Sequence, residues 1–285
     1  MTGPAARRLG ERLHLQHGPI DLIIGADGAR ARAFAAARAR FETVLEELMD
    51  EIHLLRAPID TATATPAGEI AQRMVEAGRA CANGGFVTPM AGVAGAVAET
   101  VLEAMTDACV LSRAYVNNGG DIALQLTQGT AFKMAMAGHN NRPLGLIHIA
   151  YDDPIRGIAT SGRHGRSLSR GVADSVTVLA ASATQADVAA TLIANAVDVE
   201  NDPAIRRQPA CDLDEGSDLG RRLVVTGCGP LGVRALATAL DHGQTRAQEF
   251  IAGGQITGAC LFLQGQSRVT GNSPVTLSQG TPEYA

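Results

Sequence analysis

Two stretches decide the fold and its site: Val116-Asn117-Asn118-Gly119-Gly120-Asp121-Ile122 and Ala186-Asp187-Val188-Ala189-Ala190-Thr191. In the first, an apolar strand breaks into a glycine turn, where backbone N–H groups can approach a ligand closely. In the second, a carboxylate and a hydroxyl stand four residues apart on one helical face, which suits a hard cation such as Mg²⁺. Together the two stretches indicate nucleotide or phosphoester chemistry.

Each stretch also has a purely structural interpretation. Asn-Gly and Gly-Asp favour turns on their own account, so residues 117–121 equally fit an ordinary strand–turn–strand. A carboxylate and a hydroxyl at i and i+4 are most often a solvated helix face or a cap. The Ala-rich pattern gives Asp187 no packing role. The metal interpretation therefore predicts that losing Asp187 weakens ligand binding without unfolding the chain.

The composition describes a globular chain that can bury a sizeable core. Its 285 residues are 46% hydrophobic but only 3% aromatic, with no Trp, so Ala, Val, Leu and Ile must form that core. A net charge of -5 argues against sequence-independent binding of nucleic acid, which needs a basic surface. We expect a single domain over residues 1–270, with two intimately packed halves as the alternative, and a flexible polar tail over 271–285.

The chain shows no pattern of a targeting or membrane segment. Residues 1–12 lack the apolar core of a signal peptide, and no apolar run approaches the ~18 residues of a membrane helix. Five cysteines are scattered without a CxxC pair, which fits free thiols in a reducing compartment. We therefore expect a cytoplasmic protein that has a small-molecule ligand and no membrane partner.

Hydrophobic periodicity predicts an irregular alternation of helices and strands. This order favours a mixed α+β fold with largely antiparallel sheets and packed helices over a doubly wound sheet. The predicted helices cover 29–55, 65–81, 90–105, 185–197 and 233–252. The predicted strands cover 12–15, 20–25, 113–116, 122–126, 144–150, 157–161, 172–180, 222–226 and 256–263. The small residues of 89–105 could pack internally or against a second subunit, so a homodimer is an expectation too.

Two further motifs have competing interpretations. Gly227-Cys228-Gly229-Pro230-Leu231-Gly232 matches the GxGxxG dinucleotide fingerprint, but Pro230 removes an N–H where a pyrophosphate would need one. A tight strand-to-helix turn is the better account. Arg163-His164-Gly165-Arg166-Ser167-Leu168-Ser169-Arg170 could grip an anionic group, and equally fits a solvated basic loop.

The order of these motifs is more specific than any one of them. Pro89-Met90-Ala91-Gly92-Val93-Ala94-Gly95-Ala96 precedes the Asn-Asn-Gly-Gly-Asp-Ile turn, and Thr160-Ser161-Gly162 and Ser175-Val176-Thr177-Val178 then lead to Ala186–Thr191. Over roughly residues 10–265 this order resembles the ApbE superfamily of FAD-dependent, Mg²⁺-requiring flavin transferases. Phe86-Val87-Thr88-Pro89-Met90-Ala91 and His164-Gly165-Arg166-Ser167 resemble an uncharacterised ApbE-like branch.

The resemblance implies an ApbE-like fold, Mg²⁺ and FAD as cofactors, and a set of site residues. The implied metal ligands are the side chains of Asp187 and Thr191 and the backbone carbonyl near Gly92. The residues with implied catalytic roles are Asp187 and His164. The resemblance places Gly119, Gly120 and Asp121 near the ligand, and we expect further ligand contacts from Asn117, Asn118, Ser161, Gly162, Arg166 and Ser167.

The chain departs from the family pattern at two points. Gly95 stands where the family typically has a Lys, and the short loop 164–174 replaces a His-Ile-x-Asp-Pro block. The resemblance implies flavin or phosphoester transfer, or FAD hydrolysis to FMN and AMP. The alternatives are a non-catalytic ligand-binding or assembly protein on the same fold, and an enzyme of another cofactor pathway.

Overall fold

A computed structural model describes residues 3–82, 85–139 and 142–278. Every strand pair in these ranges is antiparallel, and helices pack against the sheet, so the predicted α+β class is confirmed. The strands are β1 (Ala5–Leu9), β2 (Arg12–His17), β3 (Ile20–Gly28), β4 (Leu111–Asn118), β5 (Asp121–Leu126), β6 (Ala131–Ala137), β7 (Pro143–Ala150), β8 (Gly157–Ser161), β9 (Ser175–Ala180), β10 (Ile205–Pro209), β11 (Leu223–Cys228), β12 (Gly258–Leu263), β13 (Gln266–Gly271) and β14 (Val275–Leu277). The α-helices are α1 (Arg30–Asp50), α2 (Ile52–Leu55), α3 (Glu69–Ala82), α4 (Val93–Ala108), α5 (Ala183–Ala196) and α6 (Val233–Ala252).

Within these ranges nine strands form the main sheet, in the order β1-β2-β3-β4-β5-β8-β9-β12-β13. The strand pleat gives this sheet two different faces, because successive side chains point to opposite sides. The cross-strand neighbours Val116 and Ala123 belong to the core beneath the helices. The next pair, Tyr115 and Leu124, belongs to a separate apolar cluster on the outer face.

The helical face is centred on α5, which packs against β8, β9, α4 and α6. Small residues bring α4 close to α5. A Cβ added at Gly92 would lie 2.9 Å from Cγ2 of Val188, and one added at Gly95 would overlap the carbonyl of Ala183. This part of the small-residue face at 89–105 therefore packs inside the chain.

The outer face is covered by a second sheet, in the order β14-β7-β6. Its buried side chains, among them Met136, Ile147 and Ile149, pack on Leu124 and Ile158 of the main sheet. The three-stranded sheet thus covers part of the outer face of the main sheet. The turn between β4 and β5 lies at the border of the covered part.

Three predicted boundaries need correction. The segment expected as a flexible tail continues in an ordered strand, because Val275–Leu277 pairs with Gly145–Ile147 of β7; residues 279–285 lie outside the described residues. Residues 131–137 form β6, which sequence analysis missed, because they pair with β7. The helix predicted over 29–55 is interrupted at Glu51, whose carboxylate turns to the backbone N–H groups of Ala67 and Gly68.

Candidate functional site

Asp187 is a buried residue of α5, and its carboxylate faces the start of α4. Its Oδ2 accepts a hydrogen bond from the backbone N–H of Gly95 at 3.0 Å, and the N–H of Ala94 also favours its charged form. These N–H groups belong to the first turn of α4. The N–H groups of a first turn have no carbonyl acceptor within their own helix. The expectation that Asp187 lacks a structural role is therefore wrong, because it caps a neighbouring helix.

Glu99 of α4 caps the start of α5 in the same way. Its carboxylate accepts hydrogen bonds from the backbone N–H groups of Ala183 and Thr184, the latter at 3.2 Å, and from the Thr184 hydroxyl at 2.6 Å. Glu99 was not among the residues predicted to matter. No local signal reveals it, since its partners lie 84 and 85 residues further along the chain.

A second carboxylate, that of Asp121, lies close to Asp187 on the helical side of the sheet. Burial raises the pKa of Asp121 to about 7, although the N–H of Thr160, at 3.2 Å, partly offsets this. Burial also raises the pKa of Asp187 well above its ordinary value, and the charge of Asp121 raises it further. No cationic side chain of the described residues is among the influences on either group. The buried Asp187 and the half-buried Asp121 thus share one region without a cationic partner among the described residues.

The pleat divides the stretch from Asn117 to Asp121 between the two faces of the sheet. Asn117 lines a cleft on the outer face, whereas Asn118 is buried on the helical side. The Asn118 amide donates to the carbonyl of Ala94 at 3.2 Å, and its Oδ1 accepts from the N–H of Asp21 at 3.4 Å. Both ends of this side chain hydrogen-bond to protein backbone, so part of its hydrogen-bonding capacity is already used inside the chain.

The turn at Gly119 and Gly120 connects the two faces. Both residues have positive φ, +67° and +119°, which Gly adopts without strain. The N–H of Gly120 donates to Oδ1 of Asn117 at 2.8 Å, so that donor is used inside the turn. Of the two glycine N–H groups expected to approach a ligand, this one is already satisfied by the chain.

The outer-face cleft has a volume of about 350 Å³. One wall is apolar and comes from both sheets; the other is polar and comes from β8, β9 and the loop between them. The apolar wall includes Ile122, Met134, Met136, Ile147 and Ile158, and the polar wall includes Thr160, Ser161, Gly162, His164, Ser175 and Thr177. This volume lies in the range of small-molecule sites, ~300–1,000 Å³.

His164 stands in this cleft beside Asp174. Its Nε2 lies 3.3 Å from Oδ1 of Asp174, and its ring stacks on that of His139 with centroids 4.3 Å apart. Desolvation and the nearby charge of Arg163 lower the pKa of His164, and the carboxylate of Asp174 only partly opposes them. His164 is therefore neutral at pH 7, with one ring nitrogen able to accept a proton.

The other predicted contacts take up different positions. Arg166 is exposed and lies beside the glycine turn, 3.6 Å from where a Cβ of Gly119 would stand, while its Nη1 donates to the carbonyl of Pro19 at 3.2 Å. Ser167 is exposed and does not line the cleft. Gly162, with φ of +154°, packs so closely on the carbonyl of Asp174 that a Cβ would stand 2.7 Å from it.

The three predicted metal ligands lie on the two elements that meet where α4 packs on α5: Gly92 just before α4, and Asp187 and Thr191 on α5. Gly92 is the residue before α4 and faces Thr184 and Val188, which flank Asp187 on α5. Thr191 follows Asp187 by one helical turn, is half-buried, and makes no side-chain hydrogen bond within the described residues. No group of three or more His, Cys, Asp or Glu residues in that part of the chain could hold a metal. A cation here would need hydroxyl and carbonyl oxygens beside the carboxylates.

Gly95 is the residue that the sequence resemblance aligns with the Lys of the family pattern. The overlap that any Cβ would make with the carbonyl of Ala183 leaves no room for a side chain in this arrangement of α4 and α5. The glycine at this position therefore allows the close approach of α4 and α5.

The fold and the match to a family model identify an ApbE-like protein. The chain belongs to the family described as AbpE bacteria, whose model matches residues 5–269. It is 37% identical over 134 residues to a UPF0280 protein of Methanosarcina acetivorans, an alignment that covers 47% of this chain and 51% of that protein. It is 34% identical over 173 residues to a UPF0280 protein of Methanococcus maripaludis strain C7, covering 58% and 69%. The chain spans about half the length of the first of these relatives.

One solved structure shows the same fold. The ApbE protein from Thermotoga maritima superimposes with a TM-score of 0.50 at 12% identity, covering 90% of this chain and 96% of that one. The flavin transferase ApbE from Vibrio cholerae gives a TM-score of 0.47 at 12% identity, covering 94% and 97%. Among the described residues, no helix combines the length and the apolar character needed to cross a membrane.

Proposed function

We propose that this protein binds Mg²⁺ and a phosphate-bearing ligand of the flavin-nucleotide class at the sheet end between β4, β5 and β8. The observation that carries the proposal is the pair of carboxylates formed by the buried Asp187 and the half-buried Asp121, which has no cationic partner among the described residues. A buried charge without compensation is costly, and a divalent cation removes that cost. The residues present therefore fit a hard cation.

The proposed cation ligands are Asp187, Thr191 and the carbonyl of Gly92, with Asp121 as an addition from the structure. One oxygen of Asp187 is held by the N–H of Gly95, and the other has lone pairs left for a cation. A bound Mg²⁺ would neutralise phosphate charge and stabilise a leaving phosphate.

The cleft is the proposed place for the uncharged part of the ligand. Its apolar wall, with Met134 and Met136, suits a flat ring system, since thioethers pack well on aromatic faces. The flavin class itself is what the resemblance to ApbE proteins implies. In this arrangement Asn117 and Thr160 would orient the ring, and neutral His164 would accept a proton near the glycine turn.

Arg166 and Ser167 are proposed to contact the phosphate part. Arg166 already lies beside Gly119 at the gap between the two faces, and its guanidinium can bind phosphate as a fork. The gap is the edge of the sheet between its two faces. The residues that border it have small side chains or none: Gly119, Gly120, Ser161 and Gly162. A ligand would thus pass around the sheet end, from the cleft to the carboxylates.

Metal binding is tested by titration calorimetry with Mg²⁺ alone. Thr191→Val removes a hydroxyl that the chain itself does not use, so it should fold normally and bind Mg²⁺ at least tenfold more weakly. Asp121→Asn should have the same effect, whereas Asp50→Asn, an exposed carboxylate at the end of α1, should change nothing. Equal affinities for all four proteins would exclude this metal site.

Ligand chemistry is tested by incubating the protein with FAD and Mg²⁺ and measuring AMP. AMP release that Thr191→Val abolishes supports transfer or hydrolysis. A rise in melting temperature with FAD but without AMP supports the alternative, a non-catalytic binding protein. The glycine at 95 favours that alternative, since the Lys typical of the family has no room there. With neither result, the flavin class is abandoned.

A further inference from the structure

The outer side of strand β9 changes its chemistry along its length. Val176 and Val178 belong to the core beneath the helices, whereas Leu179 belongs to the apolar cluster on the outer face. Because side chains alternate along a strand, Ser175 and Thr177 share the outer face with Leu179. Both of them line the cleft. The outer side of β9 is thus apolar inside the sandwich and carries hydroxyl groups where it reaches the cleft.

Ser175 is deeply buried, yet its hydroxyl is not used by the chain. Only 7% of the residue is exposed, and the hydroxyl has no hydrogen-bond partner among the described residues. The residue opposite on β12 is Phe262, whose side chain has no polar atom. The hydroxyl oxygen is not sealed off, and the cleft is the space that it faces. A buried polar group without a partner costs free energy, which a hydrogen bond to a bound molecule would remove.

Thr177 presents a second buried hydroxyl to the same cleft. It is 3% exposed, and its Oγ1 lies 3.0 Å from Oγ1 of Thr160 on the neighbouring strand β8. Either hydroxyl of this pair can be the donor, so when Thr160 donates, the hydrogen of Thr177 is free for a ligand. Ser175 and Thr177 are two residues apart on one strand, which separates them by about 7 Å. Two donors therefore stand side by side along the cleft floor.

We propose that Ser175 and Thr177 select a planar ring that carries two carbonyl oxygens on one edge. Each hydroxyl would donate to one carbonyl, while the apolar wall of the cleft covers the ring faces. A ring without these acceptors leaves a buried hydroxyl unpaired, which is how a polar site rejects an analogue. This inference rests on the proposed function, and it adds to it the part of the ring that the protein recognises.

A second buried serine provides a matched control for stability. Ser169 is also 7% exposed, but its hydroxyl donates to the carbonyl of Gly171 at 3.0 Å, and it does not line the cleft. Ser169→Ala removes this hydrogen bond and should lower the midpoint of urea unfolding. Ser175→Ala removes an unpaired hydroxyl and should leave the midpoint unchanged or raise it. If both variants lost the same stability, the Ser175 hydroxyl would have a structural role and the inference would be overturned.

Ring recognition is measured by titration with riboflavin, followed by its fluorescence. Riboflavin carries the two carbonyls but no phosphate, so its binding does not depend on the proposed metal. We expect Ser175→Ala and Thr177→Val each to weaken riboflavin binding at least fivefold, and Ser169→Ala to change it less than twofold. Adenosine, whose ring has no carbonyl, should bind wild type more weakly than riboflavin does, and Ser175→Ala should not change its affinity.

The outcomes separate this inference from the proposed function. Equal riboflavin affinities for wild type and Ser175→Ala would overturn the inference alone, since the cleft would still bind the ring. Adenosine binding as tight as that of riboflavin would overturn it too, because the carbonyl edge would not be recognised. Absence of riboflavin binding by wild type would overturn both the inference and the flavin part of the proposed function.

Discussion

Glu99 and Asp187 each cap the helix on which the other stands. Glu99 of α4 accepts hydrogen bonds at the start of α5, and Asp187 of α5 accepts one at the start of α4. Each carboxylate also meets the positive end of a helix dipole. The two helices thus fix each other's position, and with it the position of any group that Asp187 holds.

The first prediction follows from this exchange. Glu99→Gln keeps the size of the side chain but removes its charge, so it should lower the free energy of unfolding by about 1–3 kcal/mol, the range for buried hydrogen bonds to charged groups. Urea unfolding measures this value. The exposed Glu76→Gln on α3 should stay within about 0.5 kcal/mol of wild type. A Glu99→Gln protein as stable as that control would contradict the capping role.

The second prediction concerns the pH dependence of the metal-free protein. The pKa of Asp121 is about 7 in the folded state, compared with ~3.9 for an unperturbed Asp. The folded protein therefore holds this proton between about pH 4 and pH 7, and the contribution of Asp121 to stability is lost as the pH rises through that window. In EDTA, wild type should lose stability relative to Asp121→Asn from pH 5 to pH 8. If the melting temperatures of the two proteins changed in parallel between pH 5 and pH 8, this prediction would be refuted.

The third prediction reverses an ordinary rule. Ala is normally better than Gly inside a helix by ~1 kcal/mol. Gly95→Ala should instead destabilise the protein by about 1–3 kcal/mol, because the added Cβ overlaps the carbonyl of Ala183. Gly78→Ala on α3 meets only the terminal methyl of Ile59, which can move, so it should cost clearly less. Similar losses for both variants in urea unfolding would show that α4 and α5 are not in close contact.

The fourth prediction concerns His164. Its pKa should lie below the ordinary value of 6.5, measured by NMR titration of the ring protons. His139→Ala removes one of the charges that lower this pKa, so His164 should then titrate at higher pH. Asp174→Asn removes the group that opposes the lowering, so the pKa should fall further. A shift in the opposite direction in either variant would mean that the ring does not stand where the structure has it.

The sequence allowed the fold class and the local structure around two candidate motifs to be predicted, because these depend on local patterns. The helix that carries Asp187 and the turn at Gly119 and Gly120 both stand where periodicity and turn chemistry indicate. All five residues from Asn117 to Asp121 are expected from the sequence to contact a ligand, whereas the pleat sends Asn117 and Asn118 to opposite faces.

Other features depend on contacts that the local sequence does not contain. Glu99 appears as an unremarkable charge on a helix until its partners on α5 are known. The strand at 131–137 carries no strict alternation, and it forms because β7 pairs with it. The ordered strand Val275–Leu277 likewise owes its place to the edge of β7 rather than to its own composition.

The position of the glycine turn at the sheet end has a consequence for the design of compounds that would bind at the proposed site. The cleft and the two carboxylates lie on opposite faces, so a rigid planar compound could fill only the apolar side and would leave the acidic side open. A compound that occupies both sides needs a hinge of a few rotatable bonds where it passes Gly119 and Arg166. Flexibility in the middle of a molecule, normally a handicap for affinity, would here be a condition for selectivity.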